Sequence, residues 1–146
     1  MVFKQMLELY DILDDINADG RRVELLCNIG KPDDCALVIE RDGEGVGLFR
    51  TEFLYMDSKE QPGEEQQFEA YKKAAMTLKG KPVTIRTLDV GGDKDIPYLG
   101  LEKEDNPFMG FRAVRYCIKN QDLYKTQLRA LMPASAFGDI RIMIPL

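Results

Sequence analysis

A chain of 146 residues, 45% hydrophobic and 31% charged, has the size and composition of one globular domain and not those of a disordered segment. Its net charge of −5 argues against a dedicated nucleic-acid binder, which needs a basic face, but leaves room for a small anion held by local positive charge. The sequence contains no histidine, which removes the commonest general base, metal ligand and phospho-acceptor together.

Residues 3–13 place Phe3, Met6, Leu7, Tyr10 and Leu13 on one helical stripe, and Asn17-Ala18-Asp19-Gly20 reads as a turn. Val23–Ile29 is a β-run closed by Gly30-Lys31-Pro32, and a short helix over 33–40 follows, with acids at its start where the helix dipole favours them. A second strand covers 46–51. The clearest helix is 64–79: Phe68, Tyr71, Ala75 and Leu78 line one face, acids open it, lysines end it and Gly80 follows. A third strand covers 83–88, and residues 89–105 form a loop rich in Gly and Asp. Asn106-Pro107 resembles an N-cap with proline in the first turn and opens a helix to about Lys119. A last helix runs from near Asp122 to Met132, stopped by Pro133, before a fourth strand at 140–144.

Strands alternating with helices predict an α/β fold with a parallel sheet and right-handed crossovers. Four such strands make either a small open sheet or half of an eight-stranded barrel, whose full length is about 250 residues. Pattern alone leaves both open.

No apolar run reaches the roughly 18 residues of a membrane helix, and no charged-then-apolar stretch resembles a signal peptide. Cys27, Cys35 and Cys117 match neither a disulfide framework nor a zinc spacing. Reduced, buried thiols in a cytoplasmic protein without membrane insertion are the expectation.

The residues able to carry chemistry cluster at strand ends. Arg50 closes GVGLFR and Arg86 lies near the end of PVTIRTL, at the carboxyl edge where parallel sheets bind ligands. Two guanidinium groups there either clamp an anion or pair with local acids such as Glu52 and Asp89. The loop Asp89-Val90-Gly91-Gly92-Asp93-Lys94 adds glycines, whose backbone N–H groups can approach an anion, and a lysine. Arg112 and Arg115, three apart early in the predicted helix, point into the same cavity or lie on a solvated face. The apolar residues around Arg50, Leu48, Phe49, Phe53, Leu54, Tyr55 and Met56, read as packing, as do the other methionines.

Four segments carry a family resemblance: GVGLFRTEFLYM (45–56), TIRTLDVGGDK (84–94), NPFMGFRAVR (106–115) and ASAFGDIRIMIP (134–145). In this order and spacing they closely resemble the phosphoenolpyruvate–protein phosphotransferase family, enzyme I of the bacterial sugar phosphotransferase system. The resemblance runs from Asp19 to Leu146; residues 1–18 read as a helical segment outside it. It implies that 19–146 form about the first half of a (β/α)8 TIM barrel that binds phosphoenolpyruvate and Mg2+. By motif, Arg50, Arg86, Lys94 and Arg112 look like the phosphate-binding cations, with Asp89 and Asn106 as supporting residues. The family passes the phosphoryl group to a histidine on a separate N-terminal domain, and from there to a phosphocarrier protein in sugar uptake. The resemblance places the acidic metal ligands and a cysteine proton donor in later barrel strands. The expectation is therefore a piece of a longer protein with no catalytic residue of its own and no activity alone. Pyruvate phosphate dikinase and phosphoenolpyruvate synthase share the strand-ending arginines and form one alternative, although LDVGGDK looks more like enzyme I. A non-catalytic module forms the other: half a barrel exposes two sheet edges and is expected to self-associate or to form a homodimer.

Overall fold

A computed structural model describes residues 19–91, 96–101 and 104–146. The helix read at 3–13, and Gly92, Asp93 and Lys94, lie outside the described residues. The elements are β1 (Cys27–Ile29), α1 (Cys35–Glu40), β2 (Val46–Arg50), α2 (Glu52–Met56), α3 (Glu64–Thr77), β3 (Val83–Arg86), α4 (Ala113–Lys119), α5 (Gln121–Ala134) and β4 (Ile140–Met143). The four strands form one parallel sheet in the order β1-β2-β3-β4.

Local chemistry sets several helix boundaries. The carboxylate of Asp34 accepts the N–H groups of Gly30 and Lys31, both at 3.0 Å, and so folds the chain away from β1 into α1. Glu64 and Glu65 occupy the first turn of α3, where the dipole is positive. Lys79 (φ 51°) and Gly80 (φ 89°) end that helix in the left-handed region.

Period-two alternation divides the sheet into two faces. On β3, Val83 and Ile85 are buried while Thr84 and Arg86 are half-buried. The buried face packs against α1, α3 and α5 through Ile29, Val38, Phe49, Tyr71, Leu78, Ile85 and Leu131. Tyr55, Leu88, Val90, Ile96, Tyr116, Cys117 and Leu123 make a second apolar cluster beyond the carboxyl ends of the strands.

Several expectations need correction. The first strand is three residues long, not seven. An unpredicted helix, α2, follows Arg50 directly. Asn106-Pro107 opens only a 3-10 turn over Pro107–Met109, and its side chain makes no cap hydrogen bond. Gly110 (φ −91°, ψ −148°) and extended Arg112 (φ −139°, ψ 172°) then break the path, so α4 starts at Ala113 and Arg112 is its N-cap. Pro133 sits inside the last turn of α5 and does not stop it. Met56, Met76, Met109 and Met132 are exposed and not core, and Cys27 is half-buried while Cys35 and Cys117 are buried. Among the described residues no helix is long and apolar enough to cross a membrane.

Candidate functional site

The parallel register sets Arg50 of β2 beside Arg86 of β3. Residues paired in register point to the same face of a sheet, with strands about 4.8 Å apart. The two strand-ending arginines therefore share the face away from the helices, at the carboxyl edge.

Their surroundings differ. Arg86 holds two carboxylates: Nη2 donates to Glu52 Oε1 at 2.5 Å, and Nη1 lies 3.0 Å from Asp89 Oδ2. Asp89 turns its other oxygen to Arg112, whose Nη2 donates at 2.6 Å. The Glu52 side chain is fully buried and that of Asp89 is 7% exposed. Arg50 makes no ion pair among the described residues; its guanidinium lies 4.9 Å from the centroid of the Phe53 ring. An aromatic face steadies a cation without occupying its N–H fork. Arg112 has a similar support, 5.2 Å from the Phe108 ring.

Among the described residues, three guanidinium groups thus meet two carboxylates at this edge. The Nε–H of Arg50, of Arg86 and of Arg112 is buried with no hydrogen-bond partner among the described residues. Buried donors of this kind are normally satisfied, so each is open to an oxygen acceptor.

Local backbone chemistry brings Arg112 in. The Ala113 N–H donates to the Val90 carbonyl at 3.0 Å, tying the start of α4 to the loop after β3. Gly91 (φ 112°) lies so close that a Cβ there would come within 2.6 Å of Arg112 Cβ. Only glycine fits both the dihedral and the contact. Arg115 is turned elsewhere: it donates to the carbonyls of Met109 (2.7 Å) and Gly110 (2.8 Å) and clasps the turn. Asn106 is exposed on that turn, where its carbonyl accepts the Met109 N–H at 3.1 Å. The structure thus brings together Arg50, Arg86, Asp89 and Arg112.

The neighbouring thiol is inert as a nucleophile. Burial, and then the Asp89 carboxylate, push Cys117 up to about 12. Burial also raises Tyr55 and Tyr71, which stay neutral hydrogen-bonding hydroxyls. Among the described residues no group of three acids, thiols or imidazoles gathers that could hold a metal ion. Among the described residues, the acids at this edge are Glu52 and Asp89; both are engaged by arginines and do not fit a magnesium ion, and no step here runs through one.

Sequence reasoning missed four buried polar residues beneath the edge: Thr51, Gln67, Tyr71 (read only as apolar packing) and Gln127. A signal was available. Gln67 and Gln127 interrupt otherwise apolar stripes, Gln67-Tyr71-Ala74-Leu78 and Leu123-Gln127-Leu131-Ala134.

Residues 5–146 match the family model described as PEP-utilising enzyme, PEP-binding domain. The chain is 56% identical over 131 residues to the phosphoenolpyruvate-protein phosphotransferase of Priestia megaterium, a match covering 90% of this chain and 23% of that protein. It is 52% identical over 146 residues to the protein of that name from Staphylococcus carnosus (99% and 26%). The Listeria monocytogenes protein of that name is 55% identical over 131 residues (90% and 23%). The chain spans about a quarter of the length of these relatives.

Proposed function

This chain belongs to the PEP-utilising enzyme, PEP-binding domain family, and from that premise we propose that its carboxyl strand edge binds the phosphate of phosphoenolpyruvate. Arg50, Arg86 and Arg112 are the binding cations, and Lys94 joins them by motif. Asp89 orients two of the arginines and Asn106 has a supporting place. The observation that carries the reading is the register pairing of Arg50 with Arg86, linked through Asp89 to Arg112, with three buried Nε–H donors left over. A phosphoryl group presents oxygens in several directions, and preorganised cations stabilise the charge that spreads over them during transfer.

Within a longer protein, the chain is the cationic part of the phosphoenolpyruvate site in enzyme I of the cytoplasmic sugar phosphotransferase system. The relatives' name favours this over a dikinase or a synthase. The remaining strands of the relatives would complete a TIM barrel and supply the Mg2+ ligands. A separate histidine domain would pass the phosphoryl group to the carrier protein. The chain alone has no turnover in this account. Calorimetric titration with phosphoenolpyruvate, with and without Mg2+, tests the reading. Saturable binding weakened by Arg50→Gln supports it, and the absence of saturable heat under both conditions rejects it.

A second reading rests on β4. Ile142 and Met143, 40% and 37% exposed, lie on an edge strand with no further partner among the described residues, and Ile144, 57% exposed, follows it. Such an edge pairs readily. In the isolated chain a second copy takes that place, giving the expected self-association. Light scattering after size exclusion decides this: a monomer at all concentrations rules it out.

A further inference from the structure

One hydrogen-bonded network beneath the arginine edge has its direction fixed by its backbone members. The Leu88 N–H donates to Gln127 Oε1 at 2.9 Å, so the amide nitrogen of Gln127 must face the other way. It donates to Thr51 Oγ1 at 3.1 Å and to the Tyr71 hydroxyl at 3.2 Å. Thr51 therefore spends its own proton on the Arg86 carbonyl, at 2.8 Å. Tyr71 donates to Gln67 Oε1 at 2.9 Å, and the Gln67 amide donates to the Pro62 carbonyl, also at 2.9 Å. Thr51, Gln67, Tyr71 and Gln127 are all fully buried.

The network begins where the ladder ends. The last register pair of β2 and β3 is Arg50 with Arg86. Thr51 is the next residue along, and Leu88 lies two beyond Arg86. Gln127, on α5, therefore ties the two strand ends to each other and, through Tyr71 and Gln67, to α3. We infer that Gln127 is a positioning residue for the phosphate clamp: its amide sets the spacing of Arg50 and Arg86 without touching the ligand. This rests on the phosphoenolpyruvate reading above. Glutamine is suited to the place because one planar head supplies two donors and one acceptor. A carboxylate would force Thr51 and Tyr71 to donate inward and strip the Arg86 carbonyl of its partner. A methionine would fill the volume and make none of the bonds.

Calorimetric titration of phosphoenolpyruvate into wild type, Gln127→Met and Leu78→Ala separates positioning from plain stability. In Gln127→Met the Kd is expected to rise roughly ten- to a hundredfold, as when an outer partner of a binding group is lost, with stoichiometry unchanged. Leu78, buried at the far end of α3 in the main core, is the stability control: its variant melts lower and keeps the wild-type Kd. Thr51→Val, which removes two of the bonds, stands in if Gln127→Met does not fold, and the same rise is expected. Amide hydrogen exchange adds a readout independent of any ligand. It is expected to speed up at residues 50–52 and 86–87 in Gln127→Met and to stay unchanged at 83–85. A wild-type Kd in Gln127→Met, reduced stoichiometry alone, or exchange that is unchanged or raised uniformly would overturn the inference. If wild type takes up no phosphoenolpyruvate, the functional reading fails and the exchange pattern alone still decides the positioning role.

Discussion

Thr51→Val offers a clean test of the energetics beneath the site, because the two side chains have nearly the same shape. The hydroxyl of Thr51 donates to the Arg86 carbonyl and accepts from the Gln127 amide. Valine leaves a carbonyl and one N–H without partners in a fully buried place. Each orphaned group costs about 1–3 kcal/mol, partly offset by the better burial of a methyl group, so a loss of about 2–4 kcal/mol is expected. For a chain of this size that corresponds to a fall in Tm of roughly 6–12 °C. Thr51→Ser keeps both hydrogen bonds and gives up one buried methyl, about 1 kcal/mol. Urea unfolding of the three proteins at 25 °C, with equal m values, reads these differences directly. If Thr51→Val unfolds within about 0.5 kcal/mol of wild type, or if serine costs as much as valine, the network does not carry the energy assigned to it.

The arginines should separate by role. Arg50→Gln is expected to weaken phosphoenolpyruvate binding about tenfold or more while leaving stability within about 1 kcal/mol, since its guanidinium rests on Phe53 and on no carboxylate among the described residues. Arg86→Gln should lose both affinity and about 2–4 kcal/mol of stability, because Glu52 is buried against it; equal unfolding free energies for the two variants would contradict this division. Gly91→Ala should destabilise by more than about 1 kcal/mol and weaken ligand binding, its Cβ meeting Arg112 in a left-handed backbone, with unfolding and calorimetry as the measures. Burial holds Cys35 at about 11 and Cys117 at about 12, against an ordinary thiol value of 9.0. Both thiols are raised in the folded state, so their contribution is full below pH 9.0 and is lost as pH rises towards 12. Unfolding followed across this range should show declining stability, flatter in Cys117→Ala. Iodoacetamide on the native chain should label Cys27 first.

Much of the site was legible because strand chemistry is local. Arg50 and Arg86 each close a short apolar run that reads as a strand. Their exact pairing follows from tertiary register, which no local pattern fixes. The helix read through Asn106 to Lys119 fails at Gly110, where the chain extends so that Arg112 can reach Asp89. That is a long-range ion pair overriding a local helix signal. α2 was hidden because EFLYM suits a strand end as well as a helical turn. Gln127 escaped because a lone glutamine on a helix ordinarily faces water. Only the network of Leu88, Thr51 and Tyr71 shows why it is buried.

The central claim is that the paired strand ends form a phosphate clamp. Calorimetric titration of phosphoenolpyruvate into the wild-type chain and its Arg50→Gln variant tests it most directly. The account predicts one saturable site per chain in wild type, weakened about tenfold or more in the variant at equal folded fraction. Identical isotherms for the two proteins would contradict it.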